Sequence, residues 1–343
     1  MTVSVIIVNW NRSKLLQACL KSLETQSVAG FEVVIVDNGS TDDSVAMAER
    51  EFGAGKPFSL KFVRNRENRG FCAANNQGIQ AASGDRIALL NNDAEAGPGW
   101  IAALLEAFEL DEAVGMAASK VLVHGDPGRI DKAGHLIYLD GQNRGRGSGE
   151  RDEGQFDQRE EVLWPDGCAA MYRRRMLEEI GGFDEDLFAY ADDAELGLRA
   201  RVAGWNCLYM PEAVVRHHRG STLGLESPRR LALIERNRVL LAVKLFPWSL
   251  LWLNAVYYLV RIVAGLSAAA NDKGEVCRFP GIRGKLRVAT AMLKGDLAAL
   301  RMMPRFFRKR REIEKIRKLT PKQVKDLLLR HRISLKELNE QAV

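Results

Sequence analysis

Residues 31–42 read FEVVIVDNGSTD: a run with four β-branched residues passes straight into a polar turn. Such a run suits a strand buried on both faces, and Asp37-Asn38-Gly39-Ser40-Thr41-Asp42 closes it. The same unit stands on either side. Upstream, VSVIIV (Val3–Val8) ends in Asn9, Asn11 and Arg12. Ser13 is placed to cap a helix whose apolar side carries Leu15, Leu16, Cys19, Leu20 and Leu23. Downstream come a helix over Ser44–Phe52, a short strand at Leu60–Val63, and a helical segment from Phe71 to Gly78 introduced by Asn65, Asn68 and Gly70. A fourth strand, RIALL (Arg86–Leu90), ends in Asn91-Asn92-Asp93. Strands that alternate with helices and end in polar residues make an α/β fold, a doubly wound, mostly parallel sheet with helices on both faces. Ligands bind at the carboxyl ends of such strands, where Asp37 and Asp93 fall.

With 343 residues the chain holds one large domain and an appendage, or two domains. Hydrophobic content of 46% beside 27% charged residues is globular, not disordered. The five cysteines are odd in number, scattered and free of CxxC pairs, which points to reduced thiols and away from a disulfide frame or zinc site. MTVSVIIVNWNR carries no basic stretch before its apolar run, so no signal peptide is expected. The net charge of +6 is unevenly placed: Arg301 to Leu319 holds nine basic residues against Glu312 and Glu314. That asymmetry calls for an anionic surface, membrane lipid before nucleic acid, and no nucleic-acid-binding motif is present.

Further along, a helix at Trp100–Leu110 precedes a strand near Gly115–Val123. Gly141–Gly154 (GQNRGRGSGERDEG) reads as an exposed, mobile loop. It lacks GxGxxG and does not lead a strand into a helix, so it is a poor dinucleotide site. Trp164-Pro165-Asp166-Gly167 turns into a small-residue strand and a short helix to Ile180. Residues 182–205, GFDEDLFAYADDAELGLRARVAGW, then place Asp192 and Asp193 where an aromatic run gives way to a helix that Gly204 stops. A carboxylate in a first helical turn is ionised and well oriented, as a general base must be; an ordinary N-cap is the alternative. Glu195 and Arg199 read as a helix-surface pair. After a strand-like Cys207–Met210 and Val214–Thr222, the composition turns helical from Pro228. Phe246–Leu266 is apolar but holds Asn254 and Arg261, so it reads as a helix in a membrane interface or a core helix rather than a spanning one. Thr320 to Val343 reads as a charged helical pair without chemistry.

Asp37 is suited to accept hydrogen bonds from a nucleobase or ribose. Asp93, alone among asparagines, offers a hard oxygen to a divalent metal whose shell phosphate oxygens would complete. A nucleotide with a diphosphate meets both demands. His217 or His218 is a further ligand or a structural histidine.

The segments VSVIIVNWNR, VVIVDNGSTDDS, NRENRGFCAANNQGI, ALLNNDAE, GCAAMYRR, GGFDEDLFAYADDAELGLRARVAGW and VVRHHRGST, in that order over roughly residues 1–225, resemble family 2 glycosyltransferases of the GT-A fold. The likeness is greatest to the bacterial rhamnosyltransferase and galactofuranosyltransferase-like branch. It implies a GT-A domain over 1–225; the helical, basic region over 226–343 lies beyond the likeness and reads from its own composition as membrane-associating. It implies an inverting enzyme using Mg²⁺ or Mn²⁺; the unpaired cysteines and the basic, aromatic C-terminal part give the expectation of a cytoplasmic enzyme peripheral on the inner face of the cell membrane. The enzyme would move a sugar, rhamnose by this resemblance, from a dTDP- or UDP-linked donor to a saccharide or lipid-linked acceptor in cell-surface polysaccharide synthesis. Residue by residue, Asp37 would hold the base with Val8 and Asn9 beside it, and Asn68, Gly70 and Asn92 would lie along the nucleotide sugar. Asp93 matches the last acidic residue of the metal-binding DxD motif, whose first position is Asn91 here. Asp192-Asp193 matches a Glu-Asp pair with Asp193 as base, Asp192 being shorter than the usual glutamate. His217, in HxxGS spacing, matches a histidine at the metal or diphosphate, with His218 as the alternative register. Trp164, Asp166, Gly167 and Asp192 fall on the acceptor side. Two rival readings are a sugar-nucleotide nucleotidyltransferase and a catalytically inactive nucleotide-binding protein. Asn9-Trp10-Asn11-Arg12, standing where the nucleotidyltransferases carry a glycine-rich phosphate loop, argues against the first.

Overall fold

The computed structural model describes residues 2–219, 224, 226–270, 278–279 and 281–340. Gly220, Ser221 and Thr222 of the HxxGS segment, Cys277 and residues 341–343 lie outside them. The first half alternates as expected: β1 (Val3–Asn9), α1 (Ser13–Glu24), β2 (Phe31–Asp37), α2 (Ser44–Phe52), β3 (Phe58–Arg64), α3 (Phe71–Ala81) and β4 (Arg86–Leu90). There follow β5 (Ala94–Ala96), α4 (Trp100–Leu110), β6 (Val114–Val123), β7 (Asp126–Lys132), β8 (His135–Ile137), β9 (Asn143–Gly145) and β10 (Glu160–Glu161). β11 (Ala169–Arg173), α5 (Arg174–Ile180), α6 (Asp192–Val202) and β12 (Asn206–His217) complete the sheet. Five helices end the chain: α7 (Pro228–Leu245), α8 (Trp248–Ala270), α9 (Gly281–Ile316), α10 (Pro321–Arg330) and α11 (Leu335–Glu340).

The main sheet runs β10-β12-β6-β11-β4-β1-β2-β3, with β5 on β12 and β7 on β6. β3, β2, β1 and β4 are parallel, so the strand ends carrying Asp37 and Asp93 emerge at one edge. β11 enters antiparallel between β4 and β6, and β12 lies parallel to β6. Alternate residues of β1 face opposite layers. Val3, Val5 and Ile7 pack with Leu16, Leu20, Phe52, Trp100 and Leu104. Ile6 belongs to the opposite layer, the core that also holds Cys72, Met176 and Leu196 and is continued by Leu240 and Phe306 of the C-terminal helices. Cys19, Cys72, Cys168 and Cys207 are buried unpaired thiols.

Ser13 is not the cap of α1. It is the first helical residue, after Asn11 and Arg12 in left-handed conformations, and its N–H donates to Asp42 Oδ2 at 3.0 Å. A carboxylate from the neighbouring loop thus covers the helix start and ties the β1 and β2 strand ends together.

Among the described residues, α8 is the one helix long and apolar enough to cross a membrane by length and composition. The core-helix reading fails, because Trp252, Val256, Leu259, Val263 and Leu266, three or four residues apart, form an exposed stripe. The polar residues point the other way. Tyr258 donates to Asp296 at 2.7 Å, and Arg261 reaches Asp140 and Glu235, both at 2.6 Å. Ile282, Leu286, Leu293, Leu297 and Leu300 on α9 extend the exposed apolar surface. The basic run is partly internal: Arg310 is buried against Trp248, and Lys309 pairs with Asp184 and Asp186.

Candidate active site

A cleft of about 590 Å³ opens where β1 and β4 end and where α3 and α6 begin. That volume suits a ligand of nucleotide size. Val8, Asn68, Gly70, Asn92 and Asp93 line it on one side, and Asp166, Gly167, Asp192 and Asp193 on the other. Asp93 and Asp193 therefore face one cavity. Asn9, Asp37, Trp164 and His217 stand behind this lining. Asn9 is fully buried; its Nδ2 donates to Ser44 Oγ, and its Oδ1 accepts from Asn92 Nδ2, both at 2.9 Å. Asp37 accepts from the Ser40 N–H at 3.2 Å. Asn38 joins the two loops at the cleft, donating to Asn68 Oδ1 and accepting from the Arg69 N–H, both at 3.0 Å. Gly70 opens α3 with φ of +87°, and a Cβ there would meet the Phe188 ring at 2.5 Å, so only glycine fits.

Beyond β4, Asp93 lies with Oδ1 3.4 Å from His217 Nε2. The other imidazole nitrogen, Nδ1, is 2.8 Å from Asp131 Oδ2, and Asp131 also pairs with Arg219 at 2.6 Å. Burial works to raise the Asp93 carboxyl, but His217 and Arg12 outweigh it and hold the group below its ordinary value. Burial works to lower His217, but Cys168, Asp131 and Asp93 outweigh it and hold the ring well above its ordinary value. A hard carboxylate oxygen and an imidazole nitrogen oriented by a second carboxylate, bordering the cavity, fit a divalent cation that displaces the ring proton. His218 belongs elsewhere. It stacks on His124 with ring centroids 3.6 Å apart, and both reach Glu95.

The other wall is built on strain. Phe188, Tyr190 and Ala191 all have positive φ, a conformation rare for residues with side chains. Asn237 of α7 restrains them. Its fully buried amide donates to the carbonyls of Leu187, Ala189 and Tyr190 at 3.1, 2.9 and 2.7 Å. The loop delivers Asp192 and Asp193 as the first two residues of α6. Burial first, and then the Asp193 charge, push Asp192 up to about 8, so at neutral pH it holds its proton. Asp193 Oδ1 accepts from the Ala194 N–H at 2.7 Å, and Oδ2 faces the Gly167 N–H at 3.4 Å and His135 Nε2 at 3.5 Å. Asp166 is fully engaged by Lys132, by His135 Nε2 at 2.9 Å and by the Cys168 N–H at 2.9 Å. Burial opposes its ionisation, but Lys132 and His135 hold it well below the ordinary range.

A parallel sheet ends in a polar cleft with an acidic pair at a helix start, and comparison with known proteins decides the family. Residues 4–181, just over half the chain, match the model of glycosyl transferase family 2, and residues 152–271 match that of glycosyl transferase family group 2. The chain belongs to glycosyl transferase family 2. A curated relative is the N-acetylglucosaminyl-diphospho-decaprenol L-rhamnosyltransferase of Mycobacterium tuberculosis, 26% identical over 251 residues, spanning 66% of this chain and 80% of that protein. The mannosyltransferase PcManGT from Pyrobaculum calidifontis, solved with GDP-Man and Mn²⁺, superposes with a TM-score of 0.52 at 18% identity, over 92% of this chain and 85% of that one. S. aureus TarS 1-349 gives 0.55 at 16% identity, over 96% and 89%. At these identities the structural likeness shows the fold, which is GT-A.

Two expectations about this glycosyltransferase are corrected. Glu195 and Arg199 are not a surface pair: both are buried and bonded at 2.8 Å, with Lys244 on Glu195 at 2.6 Å, and Arg199 also holds the Gly181 and Gly182 carbonyls. Gly141–Gly154 is not an exposed loop. Asn143–Gly145 pairs with His135–Ile137, Ser148 is buried, and Gln142, Asn143, Arg144 and Gly145 line the cleft. Gly141, Gly145 and Gly147 serve close packing: a Cβ on Gly141 would strike the Arg238 carbonyl at 2.6 Å. Sequence reading also missed Lys132, His135, Arg229 and Arg230 in the cleft. The run DKAGH (131–135), two charges and a histidine beside apolar strands, was the available signal.

Proposed function

We propose that this glycosyltransferase inverts the anomeric centre it transfers. In this reading it moves a sugar, rhamnose for choice, from a dTDP- or UDP-linked donor to a saccharide or lipid-linked acceptor of cell-surface polysaccharide. The observation that carries the reading is that Asp93 and Asp193 line one cleft. Asp193 takes the proton of the acceptor hydroxyl as that oxygen forms its bond to C1, and the C1–O bond to the nucleoside diphosphate breaks on the opposite face. Asp192, neutral beside it, adds no competing charge. Asp93 and His217 would hold the cation, with Asp131 orienting His217. A bound Mg²⁺ or Mn²⁺ stabilises charge on the departing diphosphate. Asp37, Asn9 and Asn38 shape the base and ribose side; Val8, Asn68, Gly70 and Asn92 lie along the donor; Gly167, Asp166 and Trp164 support the acceptor side.

Rhamnose and a lipid-linked acceptor are supported by the M. tuberculosis relative, whose name states both. Residues 1–225 are the catalytic unit in this reading. The helices of 226–343 cover it and seat the enzyme on the cytoplasmic face of the membrane, their outward apolar stripe entering the interface. The test is incubation with a panel of nucleotide sugars, Mn²⁺ and an N-acetylglucosaminyl-diphospho-polyprenol, with the product's anomeric configuration read by NMR. Inversion with release of nucleoside diphosphate is expected. Retention, or pyrophosphate release from a sugar 1-phosphate and a nucleoside triphosphate, overturns it.

A further inference from the structure

We infer that His135 is a positioning residue for the acceptor-side base; the inference rests on Asp193 acting as that base. His135 Nε2 stands between two carboxylates, 2.9 Å from Asp166 Oδ2 and 3.5 Å from Asp193 Oδ2. Its Nδ1 is buried without a hydrogen-bond partner among the described residues. A buried N–H is orphaned less readily than a lone pair, which assigns the proton to Nε2, where it is donated to Asp166 with Asp193 Oδ2 in electrostatic reach at 3.5 Å. The ring edge thus stands against Asp193 Oδ2 from one side while the Gly167 N–H faces that oxygen from another. The carboxylate is left aimed by its neighbours rather than by rotamer preference alone.

The mounting of His135 is rigid. Gly134, at φ of +85°, turns the chain out of β7, and a Cβ there would meet Val162 at 2.9 Å. β8 then pairs with β9 on one side. On the other it takes the C-terminal segment, the Ile137 N–H donating to the His331 carbonyl at 3.0 Å and the Ile333 N–H to the Ile137 carbonyl at 3.1 Å. Trp164 stacks on the imidazole at 5.9 Å. Trp164 therefore stands behind the cleft as the backing of His135, and Asp166 as its anchor. The donor atoms of His135, Asp166 and Asp193 lie close enough to surround an ion. Lys132 already brings its positive charge onto Asp166, so the cluster is a brace and not a second metal site.

The experiment measures transfer by the full-length chain, using the nucleotide sugar that the wild type turns over, for His135→Ala, His135→Gln, Asp193→Asn and the His135→Ala/Asp193→Asn double variant. His135→Ala should lower kcat about 10- to 100-fold, the size of effect a misplaced catalytic group produces, with donor KM within about twofold. His135→Gln, which keeps an N–H near the same place, should recover most of the loss. In the Asp193→Asn background the alanine should add nothing. Wild-type kcat for His135→Ala, or the same fractional loss in both backgrounds, overturns the positioning role and leaves the base assignment standing. Full activity of Asp193→Asn overturns the base assignment itself.

Discussion

Asn237→Ala is the substitution that most sharply separates folding from aim. The Asn237 amide has two hydrogens and serves three carbonyls of the loop before α6. Leu187 keeps a second donor, Arg236 Nη2 at 2.7 Å, so the carbonyls of Ala189 and Tyr190 are the ones stranded. Each lost bond that leaves a buried acceptor bare costs about 1–3 kcal/mol. Partial relaxation of the loop recovers some of it, and a net loss of about 2–4 kcal/mol follows. The recovery has a catalytic consequence. Phe188, Tyr190 and Ala191 are held at positive φ, at a cost on the order of 1–3 kcal/mol each, and without Asn237 they relax. Asp192 and Asp193 follow directly, so relaxation displaces the proposed base, and a shift of about 1 Å costs roughly 10²-fold in rate. Asp93 lies across the cleft on a different element and keeps its place. Urea unfolding, kcat for transfer and calorimetric affinity for Mn²⁺–nucleotide together resolve the three effects. Stability within about 0.5 kcal/mol of wild type with unchanged kcat would refute the restraint, and so would loss of nucleotide affinity in step with kcat.

Asp192→Asn should alter the pH dependence of stability. The unfolded carboxyl loses its proton near pH 4 and the folded one near 8, so wild-type stability attributable to this group is complete below about 4 and falls as pH rises to about 8. The asparagine variant lacks that fall, and its melting-temperature advantage should widen from pH 5 to pH 8.5; a constant gap contradicts the shift. Asp93→Ala should weaken Mn²⁺-dependent nucleotide binding while leaving metal-free binding nearly intact, and an unaltered metal titration removes Asp93 from the cation site. Ending the chain at Arg330 removes both β8 backbone bonds and the packing of Ile333 and Leu338 on Tyr138, so kcat should fall with nucleotide affinity retained. Trp252→Glu with Val263→Glu should abolish flotation with anionic phospholipid vesicles at low salt, since both side chains lie on the outward stripe, and undiminished flotation contradicts the membrane seat.

The sheet that carries Asp37 and Asp93 was legible because its strands are buried on both faces, and burial leaves a continuous apolar run in the sequence. Asp192 and Asp193 were legible because a helix start has its own grammar, down to Gly204 in a left-handed C-terminal turn. β7 to β10 were not legible. Their residues, DPGRIDK and NRG among them, are polar and glycine-rich because they pair at the sheet margin and over the cleft, where no alternation of apolar residues is needed. Glu195 and Arg199 looked solvent-exposed because their spacing is that of a surface pair; burial came from α7 and its Lys244, 49 residues beyond Glu195, and spacing cannot report that. Asp166 looked free to meet an acceptor because Lys132 and His135, its partners, are distant in sequence.

Asp193→Asn, assayed in one preparation for transfer and for Mn²⁺–nucleotide affinity, is the most direct test of the two-walled cleft. Transfer lower by about 10²–10⁴-fold with affinity unchanged is the result that a base on one wall and a cation anchor on the other require. Wild-type turnover by this variant would contradict it.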